Sequence, residues 1–121
     1  KRSVYVRKQV TQLHSKMRFI SAQYEAMLQD DLFITLGGQA NKSARMLFDK
    51  TKDIASLQLS SAPAANSMFP IIAKAPRAQL QEWAHFYDWD TAIDQVRWMT
   101  AWDVTKPEID AFVAGVRALL A

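Results

Sequence analysis

Apolar residues recur at three- and four-residue steps through the first part of the chain, at Val10, Leu13, Met17, Ile20, Tyr24 and Met27. That spacing aligns them as one stripe of an amphipathic helix. Neither Pro nor Gly interrupts residues 3–36, so the pattern predicts one long first helix ending near Asp30 and Asp31. The two aspartates are placed to cap a second helix, with Leu32, Phe33, Leu36, Ala40, Ala44 and Leu47 as its buried face. Gly37 and Gly38 inside that helix each cost about 1 kcal/mol relative to Ala, which predicts a kink or a close backbone approach there.

Beyond Lys52 the period shortens. Leu57 and Leu59 alternate with polar neighbours as in a half-buried strand, residues 60–66 read as a turn, and residues 67–72 as a second strand. Pro70 has no N–H and favours an edge or a break. Residues 76–84 suit a short helix. Residues 95–102 alternate most regularly, with Val96, Trp98 and Thr100 on one side and Arg97, Met99 and Ala101 on the other. Thr105-Lys-Pro-Glu108 is a capping box opening a last helix, whose stripe is Ile109, Phe112, Val113, Val116 and Leu120 and whose negative end suits Arg117. The order predicts an α+β class: a small antiparallel sheet with helices packed on one face, preceded by a long helix.

Composition narrows the picture. The 121 residues are half hydrophobic, which supports one core and excludes disorder as a description of the whole. Cysteine is absent, excluding disulfides, thiolate ligands and thiol nucleophiles. No apolar run approaches the roughly 20 residues of a membrane span, and no secretory segment opens the chain, so a soluble cytoplasmic protein is expected. The first residue is Lys1 rather than Met, which points to a trimmed or excised piece. The net charge of +3 is uneven: Lys1, Arg2, Arg7, Lys8, Lys16 and Arg18 precede the first acidic residue, Glu25, and the rest of the chain has more acid than base. Such an end attracts an anion.

The candidate chemistry is sparse. His14 and His85 stand alone, without the spacing of a metal site or a nucleophile, and no phosphate-binding glycine loop is present, so no metal is expected. His14, on the apolar side of the first helix, reads as a packing residue. The basic segment fits a solvated face as well as an anion site. Four tryptophans within residues 83–102 read as core or interface, because a base-stacking platform would interleave basic residues. Arg97 is the most pointed residue, a guanidinium in mid-strand between Val96 and Trp98. Either it pairs with Asp88, Asp90 or Asp94, or its planar fork faces a ligand carboxylate.

Several segments together resemble a known family. Val6-Arg-Lys-Gln-Val10, Ser15-Lys-Met-Arg-Phe-Ile-Ser-Ala-Gln23, Asp30-Asp-Leu-Phe33, Ala40-Asn41 and Val96-Arg-Trp-Met-Thr100 occur in the order found in the C-terminal part of the threonine aldolase and β-eliminating lyase family. These are pyridoxal 5'-phosphate enzymes of the aspartate-aminotransferase fold type, or fold type I. The resemblance implies a helix linking large and small domains over residues 1–30 and a C-terminal small domain over 31–121. It implies cleavage of β-hydroxy-α-amino acids such as L-threonine to glycine and an aldehyde, with Arg97 holding the substrate carboxylate and Arg18 and Lys8 reaching the cofactor phosphate. The cofactor-carrying lysine lies N-terminal to the matched region, so no catalytic residue is assigned and the chain alone is expected to be inactive. Its implied partners are the enzyme's large domain, further copies in a homo-oligomer and a small amino acid, with no nucleic acid and no membrane. One departure stands out: Val10-Thr-Gln-Leu-His-Ser-Lys16 replaces the glycine triplet of many members, as in a branch lacking that loop, and His14 could then share the phosphate contacts. The competing class is a non-catalytic basic-helix module for an acidic partner or nucleic acid.

Overall fold

The computed structural model describes residues 2–120, which form two compact units divided between Ile34 and Thr35. In the first unit, where the pattern predicts one uninterrupted helix, the chain forms two: α1 (Ser3–Gln9) and α2 (Met17–Leu28). The stop after α1 is a Schellman arrangement. Gln12 N–H donates to the Arg7 carbonyl at 2.9 Å and Thr11 N–H to the Lys8 carbonyl at 3.2 Å, with Thr11 left-handed at φ 58°. This position is usually glycine, so a β-branched residue there hides the stop from a composition reading. Lys16, also left-handed at φ 60°, opens α2. A 3-10 turn (Gln29–Asp31) follows, in which Asp30 and Asp31 take φ of 49° and 55°. An N-cap residue is extended, so the expected aspartate cap does not form here.

Helix α3 (Leu32–Thr51) runs on without a kink. A Cβ at Gly37 or Gly38 would meet nothing within 4 Å, which removes the close approach expected of them. The buried face of α3 is Ala40, Ser43, Ala44, Leu47 and Thr51, while Leu32 and Phe33, expected among them, are exposed.

The second unit carries the sheet. Strands β1 (Ser67–Met68), β2 (Tyr87–Asp90) and β3 (Gln95–Met99) pair antiparallel in the order β1-β3-β2. The strand expected around Leu57 and Leu59 reduces to one bridge between Gln58 and Ile71, and the strand expected over 67–72 breaks at Pro70. The Pro70 carbonyl still accepts from Val96 N–H at 2.9 Å, so the segment lies along β3 with half its ladder. Strand β2 has four exposed residues, Tyr-Asp-Trp-Asp, and exists because it pairs with β3 rather than because it buries a face.

Helices α4 (Lys74–Gln81) and α5 (Lys106–Leu120) pack on the sheet's apolar side. Val96 and Trp98 point into a core with Ile72, Leu80, Phe86, Ile109, Val113 and Val116. Thr100, on the same face, ties the sheet to α3 by donating to the Ala40 carbonyl at 2.8 Å. The carboxylate of Glu108 accepts from both Thr105 N–H at 2.8 Å and the Thr105 hydroxyl at 2.7 Å, the backward half of the anticipated box. Gly115 does have a packing reason: the Trp83 indole lies where its Cβ would be. Of the four tryptophans only Trp98 is core; Trp83, Trp89 and Trp102 are about half exposed.

Candidate anion-binding residues

Alternation along β3 sends Arg97 to the side opposite Val96 and Trp98, away from the core. Its cross-strand partner is Tyr87, itself exposed. Of the three aspartates that could have paired with it, none does. Asp88 lies opposite Val96 in the ladder and so projects to the helix side. There Arg77, on α4 and 8% exposed, reaches Asp88 at 3.6 Å and Asp94 at 3.3 Å. Gln81 also donates to Asp88 at 3.3 Å. Asp90 accepts from Ala92 N–H at 2.9 Å in the β2–β3 turn.

Arg97 is held by neutral groups instead. Its Nε and Nη2 face the Ser67 hydroxyl at 3.4 and 3.3 Å, and Nη2 lies 3.2 Å from Met99 Sδ. The guanidinium carbon sits 5.5 Å from the centre of the Trp89 ring, and Trp89 in turn packs on Phe69 at 5.1 Å. No carboxylate comes within 4 Å of Arg97 among the described residues. A half-buried guanidinium so placed keeps donors available for a planar anion. Ser67, Trp89 and Arg77 are the residues that sequence reasoning missed. Their signal was present only as pairing: Ser67 and Trp89 reach Arg97 through strands that the periodicity left uncertain.

In the first unit Lys8 lies in the last turn of α1 and Arg18 in the first turn of α2, both exposed. The Arg18 guanidinium lies 4.8 Å from the Phe19 ring centre, and neither residue is in an ion pair among the described residues. The two sit on either side of the 10–16 connection rather than on one helical stripe, so their spacing along a continuous helix no longer applies. His14, expected as a packing residue, is exposed on that connection. Val4, Tyr5, Val10, Leu13, Met17, Phe19 and Tyr24 are also exposed, so the amphipathic stripe has no cover within its own unit.

A small cavity of about 190 Å³ opens among Leu47, Phe86, Trp98, Val104, Ile109 and Phe112. It is lined by no lysine or arginine; His85 and Thr100 are its polar wall beside Glu108, whose carboxylate is engaged by Thr105. Among the described residues no three His, Asp or Glu side chains gather as a metal site, and no helix is long and apolar enough to cross a membrane.

No protein-family model matches the sequence. Two curated relatives do, both named low-specificity L-threonine aldolase. The protein from Pseudomonas aeruginosa is 33% identical over 111 aligned positions, covering 74% of this chain and 30% of the relative. The protein from a Pseudomonas species is 30% identical over 115 positions, covering 93% of this chain and 33% of the relative. Among solved structures, threonine aldolase from Leishmania major superposes with a TM-score of 0.85 at 28% identity, over 97% of this chain and 35% of that one. The chain thus spans about a third of the length of the proteins it matches. The α+β expectation for the C-terminal domain of a fold-type-I enzyme is met by the three-stranded antiparallel sheet and its helices. With sequence and backbone agreeing over nearly all of its length, the chain belongs to the threonine aldolase family, to whose C-terminal part it corresponds.

Proposed function

We propose that the chain supplies the carboxylate-binding part of the active site in a pyridoxal-phosphate-dependent aldolase that cleaves β-hydroxy-α-amino acids such as L-threonine to glycine and an aldehyde. The observation that carries this reading is Arg97, half-buried on the sheet face opposite the core while the nearby Asp88, Asp90 and Asp94 are engaged elsewhere. The names of the two Pseudomonas relatives support the reaction class. A guanidinium fork and a carboxylate form two parallel charge-assisted hydrogen bonds, which fix orientation as well as affinity. Holding the α-carboxylate would fix the orientation of the substrate's Cα bonds in the site.

The cofactor, when bound, supplies the electron sink for carbon–carbon cleavage. The donor chemistry of this chain fits its anionic end: Lys8 and Arg18, in an acid-free stretch and without a carboxylate partner among the described residues, would hold the phosphate, with His14 on the connection between them as a further donor. The chain has no residue in the role of the cofactor-carrying lysine, so it is inactive alone. The uncovered apolar stripe of the first unit is the surface that the enzyme's large domain, or another copy in a homo-oligomer, would bury.

The test is Arg97→Lys in the full-length holoenzyme. A lysine keeps the charge but loses the fork, so KM for L-threonine rises about 10- to 100-fold, as loss of a charge-assisted hydrogen bond predicts. An unchanged KM refutes the assignment.

A further inference from the structure

We propose that Trp89 is a positioning residue for Arg97, an inference that rests on Arg97 being the carboxylate clamp. An arginine used for binding must have its plane fixed without spending the in-plane N–H donors that the ligand needs. A stack on an aromatic face does this, because the guanidinium offers its π surface and keeps all its edges. Trp89 offers such a face within cation–π range: the Arg97 guanidinium carbon lies over its ring, 5.5 Å from the ring centre. An aspartate in the same place would hold the arginine more tightly and neutralise it.

Trp89 owes its own placement to two features. It sits in β2 at the irregularity between Asp88 and Asp90, where it has no ladder partner opposite, and such bulges re-aim side chains. Phe69 also packs on it, with ring centres 5.1 Å apart and the planes tilted by 56°. The Ser67 hydroxyl completes the seat at the Nε edge, at 3.3 and 3.4 Å, contacts too long to compete with an incoming carboxylate. Nothing in the core explains Trp89: it is 57% exposed on the open face of the sheet, where a large indole has no apolar interior to fill.

The experiment is a double-mutant cycle in the full-length holoenzyme, pairing Trp89→Leu with Arg97→Gln and measuring KM and kcat for L-threonine. Trp89→Leu is expected to raise KM about two- to fivefold, the worth of one exposed cation–π stack, while kcat moves by less than a factor of two. Trp89→Phe restores KM to within twofold of the parent, and Trp89→Leu adds nothing further in the Arg97→Gln background. An unchanged KM in Trp89→Leu, or the same rise with and without Arg97, overturns the positioning role while leaving the clamp intact. An Arg97→Gln enzyme with the parent KM overturns the clamp itself, and the positioning role with it. Should Trp89→Leu not fold, Trp89→His, a flat but weaker π face, takes its place with the same expected split.

Discussion

Replacing Arg77 by methionine asks what holds the β2–β3 hairpin to α4. The Arg77 side chain is 9% exposed, whereas Asp88 and Asp94 are 41% and 37% exposed. Removing one partner of a fully buried ion pair costs about 3–5 kcal/mol, chiefly because the remaining charge is stranded. Here both carboxyl side chains are partly in water although Asp94 Oδ1 itself is buried, and their approaches of 3.6 and 3.3 Å are looser than a good charge-assisted hydrogen bond. Methionine also refills most of the volume of the arginine stem. The expected loss is therefore lower, about 2 kcal/mol. Urea unfolding followed by tryptophan fluorescence reads it out: with a slope of about 1–3 kcal/mol per molar, the midpoint falls by about 1 M. The triple variant Arg77→Met/Asp88→Asn/Asp94→Asn removes the charges together and should recover most of the loss. A midpoint shift below about 0.3 M in the single variant would show that the cluster is not what fastens the hairpin. A triple variant as unstable as the single would show that packing, not charge, set the cost.

Two further outcomes are expected. Asp53 and Asp110 have their carboxyls held below the ordinary carboxylate range, Asp53 by the hydrogen bond from Arg117 and Asp110 by those from Lys106 and Lys50. Their contribution is present above the unfolded carboxylate pKa and is lost as acid protonates them, so thermal stability should decline below about pH 4. The decline should be shallower in Asp53→Asn/Asp110→Asn, and equal slopes in the two proteins would refute this origin. Separately, Thr11 is a β-branched residue at φ 58° in the Schellman position, where glycine avoids a steric cost of about 1–2 kcal/mol. Thr11→Gly should therefore increase helical content near α1 by circular dichroism, and a loss of signal would contradict the left-handed stop.

Much of the second unit was legible in the chain itself. The alternation of Val96, Arg97 and Trp98 determined both the strand and the side on which the guanidinium emerges, because side chains on a strand alternate strictly. The 3.6-residue stripe of Ile109, Val113, Val116 and Leu120 determined the last helix and its buried face. The acid-free run ahead of Glu25 determined that the chain's positive charge lies at one end. Other features were decided only by tertiary structure. The break after α1 was invisible because helix periodicity continues through it and its left-handed residue is a threonine. Strand β2 was invisible because Tyr-Asp-Trp-Asp buries nothing; hydrogen bonding to β3 alone makes it a strand. Above all, whether an aspartate pairs with Arg97 depended on an arginine twenty residues earlier in the chain. Local pattern ranks neighbours by sequence distance, but charges pair by distance in space, and only the packing of α4 against the hairpin brings Arg77 to Asp88 and Asp94 and leaves Arg97 without a carboxylate.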